Sequence, residues 1–226
     1  MAEPSSKTSP DEPAAAWRRM QPVHGGLLLA LLALPLVYPG LARWPLYQLV
    51  PLAVYAVVVL AVGPLRRTVA WVRVGRLGVG VLGLTLALIL VSSTALVAYY
   101  YLFRPDVTRV AAQMPTWLPG NLLVAGAFFS VLNAVMEEAV FRGVLLDALE
   151  SQLGPGWAVL VQGVVFGVVH QNGYPPGPVG VFLAAVYGVL LGWLRLRSGG
   201  MAAPVAAHVC ADATIFTLVT GLATAG

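Results

Sequence analysis

The sequence predicts an all-α fold, a polytopic membrane helix bundle of about seven transmembrane helices with polar side chains in its C-terminal half. Of the 226 residues, 59% are hydrophobic and only 10% are charged, and the mean hydropathy is +0.84. A soluble domain carries about 25% charged residues, so this composition excludes an ordinary soluble protein. The apolar residues form separate segments, several of them close to the length of about 20 residues that a helix needs to cross the hydrocarbon core.

The apolar segments divide the chain into three predicted regions. Residues 1–22 are rich in Pro, Ser and charge, which is typical of a disordered tail. N-terminal transmembrane segments follow over residues 23–120, and residues 121–222 hold the spans that carry polar side chains. The first span is short and contains Pro35 and Pro39. In chain order, the candidate spans are residues 25–42, 46–63, 78–103, 121–145, 157–172, 179–196 and 203–222.

The distribution of basic residues predicts which side of the membrane the N-terminus faces. Nine of the 13 Lys and Arg residues lie in the tail, in the 64–77 loop and at Arg195 and Arg197, while three lie in the loops of the opposite side and Arg142 ends a span. Loops rich in Lys and Arg stay in the cytoplasm, so the tail is predicted to be cytoplasmic. The net charge of +4 follows from these loops and indicates no nucleic-acid partner. The abundance of Ala, Gly, Val, Pro and Arg favours a prokaryotic cell membrane.

Two adjacent carboxylates, Glu137 and Glu138, lie inside the fourth apolar segment. A charge at the centre of a membrane helix costs roughly 2.5–3.5 kcal/mol on insertion scales, so such a pair indicates a functional site. Glu138 and Arg142 are four residues apart and share a helix face in the favourable order. This pair, called the clamp below, is interpreted as structural, either as a support for Glu137 or as an ion pair at the membrane surface. Glu137 points about 100° away and is the candidate for chemistry.

Two later apolar segments carry a histidine four residues from another side chain. Phe166 and His170 share a face in the fifth segment, and His208 and Asp212 do so in the seventh. A carboxylate one turn from a histidine can set its tautomer and orientation. Either histidine alone could simply bind a neighbouring helix, and Asp212 alone could mark an ion path. Their shared location in residues 121–222 favours one polar site.

Three motifs therefore follow one another on separate apolar segments, namely Glu137-Glu138-x-x-x-Arg142, Phe166-x-x-x-His170 and His208-x-x-x-Asp212. In this order they resemble the pattern of the CPBP family, the Abi or type II CAAX prenyl endopeptidase-like intramembrane proteases. The resemblance covers roughly residues 121–220, and the N-terminal half matches only as generic membrane spans. It implies a helical catalytic core with a catalytic cavity that opens toward the cytosolic side. It also implies a hydrolase that cleaves peptide bonds of membrane-associated protein or peptide substrates.

The resemblance also implies a role for each site residue. Glu137 and His170 would activate a water molecule, and the clamp would shape the site. His208 and the residue at position 212 would support the oxyanion of the tetrahedral intermediate. CAAX-cleaving members of the family have Asn at this last position, whereas an ionised Asp212 cannot donate a hydrogen bond. Asp212 would therefore be protonated, orient His208 or bind a metal.

Two mechanisms and two other functions stay open at this point. In the preferred mechanism Glu137 is a general base assisted by His170, and no cofactor is required. In the other, Glu137, His170 and His208 would bind Zn²⁺ with water in the open position, although no His-Glu-x-x-His motif exists. The chain could instead be a non-catalytic family member in bacteriocin self-immunity or membrane-protein assembly. It could also be a proton-coupled transporter with Glu137 or Glu138 as carrier.

Overall fold

The computed structural model describes residues 12–115 and 121–221, and over these residues the chain is helical with no strand. The all-α prediction is confirmed for this part of the chain. A π-helix covers Ala139–Leu145, and single 3₁₀ turns lie at Pro39–Leu41 and His170–Asn172. The helices are α1 (Glu12–Leu32), α2 (Leu34–Val37), α3 (Leu46–Ala61), α4 (Gly63–Thr68), α5 (Val79–Phe103), α6 (Thr108–Ala111), α7 (Leu122–Glu138), α8 (Leu146–Leu153), α9 (Pro155–Val169), α10 (Gly177–Ser198) and α11 (Ala202–Val219).

Five helical segments of the described residues are long and apolar enough to cross a membrane, which makes the protein an integral, multi-pass membrane protein. Helices α3 and α9 have 16 and 15 residues and are shorter than the roughly 20 residues that a perpendicular span needs. The predicted spans 46–63 and 157–172 therefore stay predictions, and so does the count of seven. The five segments are Glu12–Val37, Val79–Phe103, Leu122–Leu153, Gly177–Ser198 and Ala202–Val219.

Helix α1 begins eleven residues earlier than the predicted disordered tail allows. Residues 12–22 of that tail belong to α1, so the prediction is wrong for them, and residues 1–11 lie outside the described part of the chain. The sequence after Glu12 is rich in alanine, which favours helix. The helix is also held from outside, because the buried side chain of Gln21 donates a hydrogen bond to the Thr68 carbonyl oxygen at 2.8 Å. A polar composition alone could not reveal this tertiary contact.

Helix α7 begins where the sequence predicts, because Asn121 caps it. The Asn121 side chain accepts a hydrogen bond from the backbone N–H of Leu123 at 2.8 Å, which satisfies one of the unpaired donors of the first turn. The helical segment then continues through the π-helix to Leu153, eight residues beyond the predicted span 121–145. Arg142 consequently lies inside the segment rather than at its end.

Glycines let α9 and α10 pack at very close range. A Cβ added at Gly163 would lie 2.9 Å from the backbone nitrogen of Val189, and one at Gly167 would meet the carbonyl oxygen of Val181. Gly188 in turn lies against the backbone of Gly163. Small residues at four-residue spacing allow this approach in membrane helices. The two helices carry Phe166 and part of the cavity wall next to it, so their separation sets the shape of the site.

A methyl group at this contact is expected to destabilise the protein. Gly167→Ala should lower the free energy of unfolding by about 1–3 kcal/mol, because overpacking against backbone forces the two helices apart. Gly83→Ala in α5 is the matched control, since a Cβ there meets nothing within 4 Å and alanine is the better helix former. Thermal unfolding in detergent should show a lower midpoint for the first variant alone. Equal midpoints for the two variants would contradict the close packing of α9 and α10.

Candidate active site

Glu137 and Glu138 end α7, at the point where the α-helix passes into the π-helix Ala139–Leu145. Both side chains are buried. Turns of π-helix are rare and occur frequently at functional sites. The π-helix is packed from outside, because Gly143 lies against the ring of Trp71, and a Cβ at Gly143 would lie 2.8 Å from that ring. The residue types of the segment do not signal this irregularity, and the sequence analysis did not predict it.

The clamp forms as its four-residue spacing predicts, but it lies in the interior. Arg142 Nη1 donates to Glu138 Oε1 at 2.8 Å, and both side chains have 0% exposure. Arg142 Nη2 donates to the Gly188 carbonyl oxygen at 3.3 Å, and the guanidinium carbon lies 4.2 Å from the centre of the Phe166 ring. The alternative of an ion pair at the membrane surface is therefore wrong. The clamp ties α7 to α9 and α10.

His208 connects α11 to the clamp. Its Nδ1 lies 2.8 Å from Glu138 Oε1, and it is the donor there because a carboxylate paired with arginine only accepts. Its Nε2 lies 3.6 Å from Glu137 Oε2 and 3.7 Å from Asp212 Oδ1. The spacing had suggested that Asp212 orients His208, whereas the structure places Glu138 much closer. Glu138 therefore holds both Arg142 and the tautomer of His208.

His170 lies in the 3₁₀ turn that directly follows α9. Its Nδ1 is 2.6 Å from the Phe166 carbonyl oxygen, so Nδ1 carries a proton and Nε2 points away from the backbone. Nε2 lies 3.3 Å from Glu137 Oε2. Because α9 has only 15 residues, it ends within the bundle at the depth of Glu137. The His170 side chain stays 25% exposed, whereas Glu137 and His208 are buried.

Asn133 and Trp44 join the site, and the sequence analysis gave neither of them a role. The amide nitrogen of Asn133 donates to Glu137 Oε1 and to Asp212 Oδ2, each at 3.2 Å. The Trp44 indole N–H donates to the amide oxygen of Asn133 at 3.1 Å. Asn133 lies one turn before Glu137, which is a local signal that could have identified it. Trp44 lies 89 residues away, and nothing in its surrounding sequence points to this contact.

The six predicted site residues thus come together, and their charges do not balance without additional protons. The site holds three carboxyl groups and one guanidinium, and all four side chains are buried. Unpaired charge in a buried position is costly. The two histidines and Asp212 are the groups that can take up protons to offset it. The arrangement can therefore accept, hold and return protons, which is what hydrolysis of an amide requires.

Two cavities among the described residues meet at this cluster. The larger, of about 530 Å³, reaches Asn133 and Glu137 and has a mixed lining that includes several polar side chains. The smaller, of about 310 Å³, lies between α5, α10 and α11 and is lined mostly by apolar side chains. His170 and Asp212 line both of them. We call them the polar cavity and the apolar cavity.

The residues present do not fit a resident metal ion. Among the His, Cys, Asp and Glu side chains that the structure describes, no group of three is arranged so that it could hold a metal. The Zn²⁺ alternative named Glu137, His170 and His208 as its ligands. In the structure, Glu137 Oε2 lies 3.3 Å from His170 Nε2 and 3.6 Å from His208 Nε2. No step below is derived through a metal.

Comparison with known proteins gives a family match that covers the three motifs. Residues 119–214 match the family model described as type II CAAX prenyl endopeptidase Rce1-like. No curated protein and no solved structure matches the chain. The matched segment contains all three motifs, helices α7 to α10 and most of α11. Residues 119–214 are therefore similar to the Rce1-like type II CAAX prenyl endopeptidase family, in agreement with the resemblance that the three motifs indicated.

Proposed function

We propose that this protein is an intramembrane endopeptidase that hydrolyses peptide bonds of membrane-associated protein substrates by means of a water molecule activated by Glu137 and His170. The similarity of the matched segment to the Rce1-like family supports a peptidase of the CAAX endopeptidase type. The observation that carries the proposal is the position of Glu137 Oε2, 3.3 Å from His170 Nε2 and 3.6 Å from His208 Nε2, on the wall of the polar cavity.

Glu137 is the proposed general base. Asn133 holds Oε1, which leaves Oε2 directed between the two imidazoles. Water beside Oε2 and His170 gives one proton to Glu137 while its oxygen forms a bond to the carbonyl carbon of the substrate. When the C–N bond breaks, the same proton passes from Glu137 to the leaving nitrogen. The Nδ1–H of His170 is held by the Phe166 carbonyl, so its Nε2 keeps a constant position during these steps.

His208 is the proposed support for the oxyanion. Glu138 accepts a hydrogen bond from the Nδ1–H group, so a second proton on Nε2 makes His208 a cation whose N–H faces the site. A positioned donor of this kind in a dry site is worth about 2.7–4 kcal/mol in transition-state stabilisation. The carboxylates of Glu137 and Asp212 lie 3.6 and 3.7 Å from Nε2, so negative charge faces this N–H group from two sides.

Asp212 is proposed to act through its neighbours rather than as an oxyanion donor. It accepts a hydrogen bond from Asn133 and contributes negative charge beside His208. Both contacts help to fix the position of α11 relative to α7. This role requires an acceptor at position 212, and the amide oxygen of Asn also meets that requirement.

Two substitutions of Asp212 should therefore differ in effect. Asp212→Asn is expected to retain cleavage within about tenfold of the wild type, because its amide oxygen can still accept the hydrogen bond from Asn133. The change affects the strength of one hydrogen bond, which is worth about 0.5–1.5 kcal/mol. Asp212→Leu should lose much more activity, since it leaves the buried amide of Asn133 short of a partner. Initial rates on one substrate, measured with equal amounts of folded protein, provide the comparison. A fully active Leu variant would show that the contact with Asn133 is not needed.

The apolar cavity is the proposed position of the hydrophobic part of the substrate. Its walls come mainly from α5, α10 and α11, and it reaches His170, His208 and Asp212. An apolar stretch of substrate in this cavity would place an adjacent peptide bond beside the polar groups. The polar cavity also reaches His170 and Asp212 and offers the route for water. An enzyme within a bilayer needs such a route because hydrocarbon holds no nucleophile.

The test compares new protein termini in membranes from cells that produce either the wild type or Glu137→Gln at equal levels. Termini that appear only with the wild type are the expected result, and they identify the substrates. The same comparison with a zinc chelator should give the same termini, whereas loss that added Zn²⁺ reverses would favour the metal mechanism. No difference between two folded proteins would favour a non-catalytic role. Proton-coupled flux that survives His208→Ala would instead favour a transporter.

A further inference from the structure

We infer that the polar cavity opens on the non-cytoplasmic face of the membrane, so that water and the cleavable part of the substrate enter from that side. The inference rests on the proposed function only where it treats the cavity as an active site. The placement itself follows from two independent features of the molecule. These are the end of the bundle at which the cavity opens and the end at which the arginines collect.

The arginine-rich end of the bundle is formed by the start of α1, the segment 63–78 and the turn between α10 and α11. Gln21 of α1 donates to the Thr68 carbonyl oxygen. The backbone N–H of Arg76 donates to the Ser198 carbonyl oxygen at 2.8 Å, and that of Met201 donates to the Arg73 carbonyl oxygen at 2.7 Å. These bonds place three separate stretches of chain together. Their arginines are Arg18, Arg19, Arg66, Arg67, Arg73, Arg76, Arg195 and Arg197.

The polar cavity opens at the opposite end. Its walls include the residues that follow α1, the first turn of α3, the segment after α6 and the 3₁₀ turn that follows α9. Of the described residues, none in 63–78 or 195–202 lines it. Arg109 of α6 lies at this end as well, and its Nη1 donates a hydrogen bond to the side-chain oxygen of Asn172 at 3.1 Å. The arginines of this end are Arg43, Arg104 and Arg109.

The charge distribution decides which end is cytoplasmic. The described residues place eight arginines at the arginine-rich end and three at the cavity end, and Arg142 is buried between them. Short loops rich in Lys and Arg stay in the cytoplasm, and both the 63–78 segment and the α10–α11 turn are short. The arginine-rich end is therefore cytoplasmic, and the cavity end is not.

Two expectations from the sequence conflict in this structure. The arginines predicted a cytoplasmic N-terminus, and the family resemblance implied a cavity that opens toward the cytosol. In this structure the two cannot both hold, because the start of α1 and the mouth of the polar cavity lie at opposite ends. We follow the charge distribution, because it is a property of the residues of this chain, whereas the cytosolic opening was implied only by the resemblance. The substrates would then be proteins whose cleaved segment has crossed the membrane or lies in its outer leaflet.

Cysteine labelling tests the inference without any need for cleavage. The full-length protein would carry Cys210→Ala, which removes its one native cysteine. Two single cysteines are then added at exposed positions of the cavity end, Ala112→Cys and Gln113→Cys. Val72→Cys, exposed at the arginine-rich end and chosen because it keeps every arginine, is the matched control. A charged, membrane-impermeant maleimide is applied to intact cells and to inverted membrane vesicles.

In intact cells, we expect labelling at positions 112 and 113 and protection at position 72. In inverted vesicles, the pattern should reverse. Labelling of position 72 alone in intact cells, or of both ends in the same preparation of sealed membranes, would overturn the inference. The same pattern is expected in a Glu137→Gln background. A non-catalytic protein would therefore still give the expected labelling, which keeps a failure of the proposed function distinct from a failure of this inference.

Discussion

Glu137→Gln is expected to lower the rate of peptide cleavage by about 10²–10⁴-fold, the contribution typical of a positioned general base. Glutamine has nearly the shape of glutamate, and its amide oxygen can still accept the hydrogen bond that Asn133 donates to Oε1. It cannot take a proton from water at neutral pH. The loss should therefore appear in kcat/KM while the protein keeps its fold.

The measurement is the initial rate of cleavage of one substrate by purified wild type and variant in the same detergent or vesicle. Glu150→Gln is the matched control, because Glu150 lies in α8 and outside both cavities, and its rate should equal that of the wild type. His170→Ala and His208→Ala should each lose activity as well. A Glu137→Gln variant with wild-type rate would remove Glu137 from the chemistry and would transfer the base role to another group.

Arg142→Met is expected to lower the free energy of unfolding by about 3–5 kcal/mol, because breaking a buried ion pair leaves an uncompensated charge. The charge that remains is that of Glu138, which has 0% exposure. Glu138 would still hold His208 at Nδ1, but without its arginine partner its ionised form becomes unfavourable. The variant should therefore lose activity together with stability.

Thermal unfolding in detergent, followed by circular dichroism, provides the measurement. Arg67→Met is the matched control, because that side chain is exposed and surface substitutions usually stay within about 0.5 kcal/mol. The double variant Glu138→Gln with Arg142→Met should recover part of the stability, since it removes both charges. If Arg142→Met unfolded at the wild-type temperature, the clamp would not be the buried, fully formed ion pair that the structure shows.

Contacts within one helix were the most predictable part of the site. Glu138 and Arg142 are four residues apart, and the helix period alone brings them together. The pair forms even though Arg142 lies in the π-helix, since its Nη1 is 2.8 Å from Glu138 Oε1. The same period could have identified Asn133, which lies one turn before Glu137.

Contacts between helices were less predictable. The spacing assigned Asp212 to His208, but the closer partner is Glu138 at 2.8 Å, which is 70 residues away in the chain. Trp44 comes from the N-terminal segments and reaches Asn133, although the resemblance covered only the C-terminal part. The division into residues 23–120 and 121–222 stays a prediction. Which side chains meet across a bundle depends on helix rotation and depth, and periodicity within one helix does not specify either.

The sequence by itself determined that the chain is a helical membrane protein and that one group of ionisable residues lies at apolar depth, because hydropathy and the cost of buried charge are local properties of the residues. It also indicated the family that the motifs resemble. Only the tertiary structure decided that α9 ends level with Glu137, that Glu138 serves both Arg142 and His208, and that the polar cavity opens opposite the arginines. Each of these depends on the relative position of helices that are distant in sequence, and packing between them sets that position.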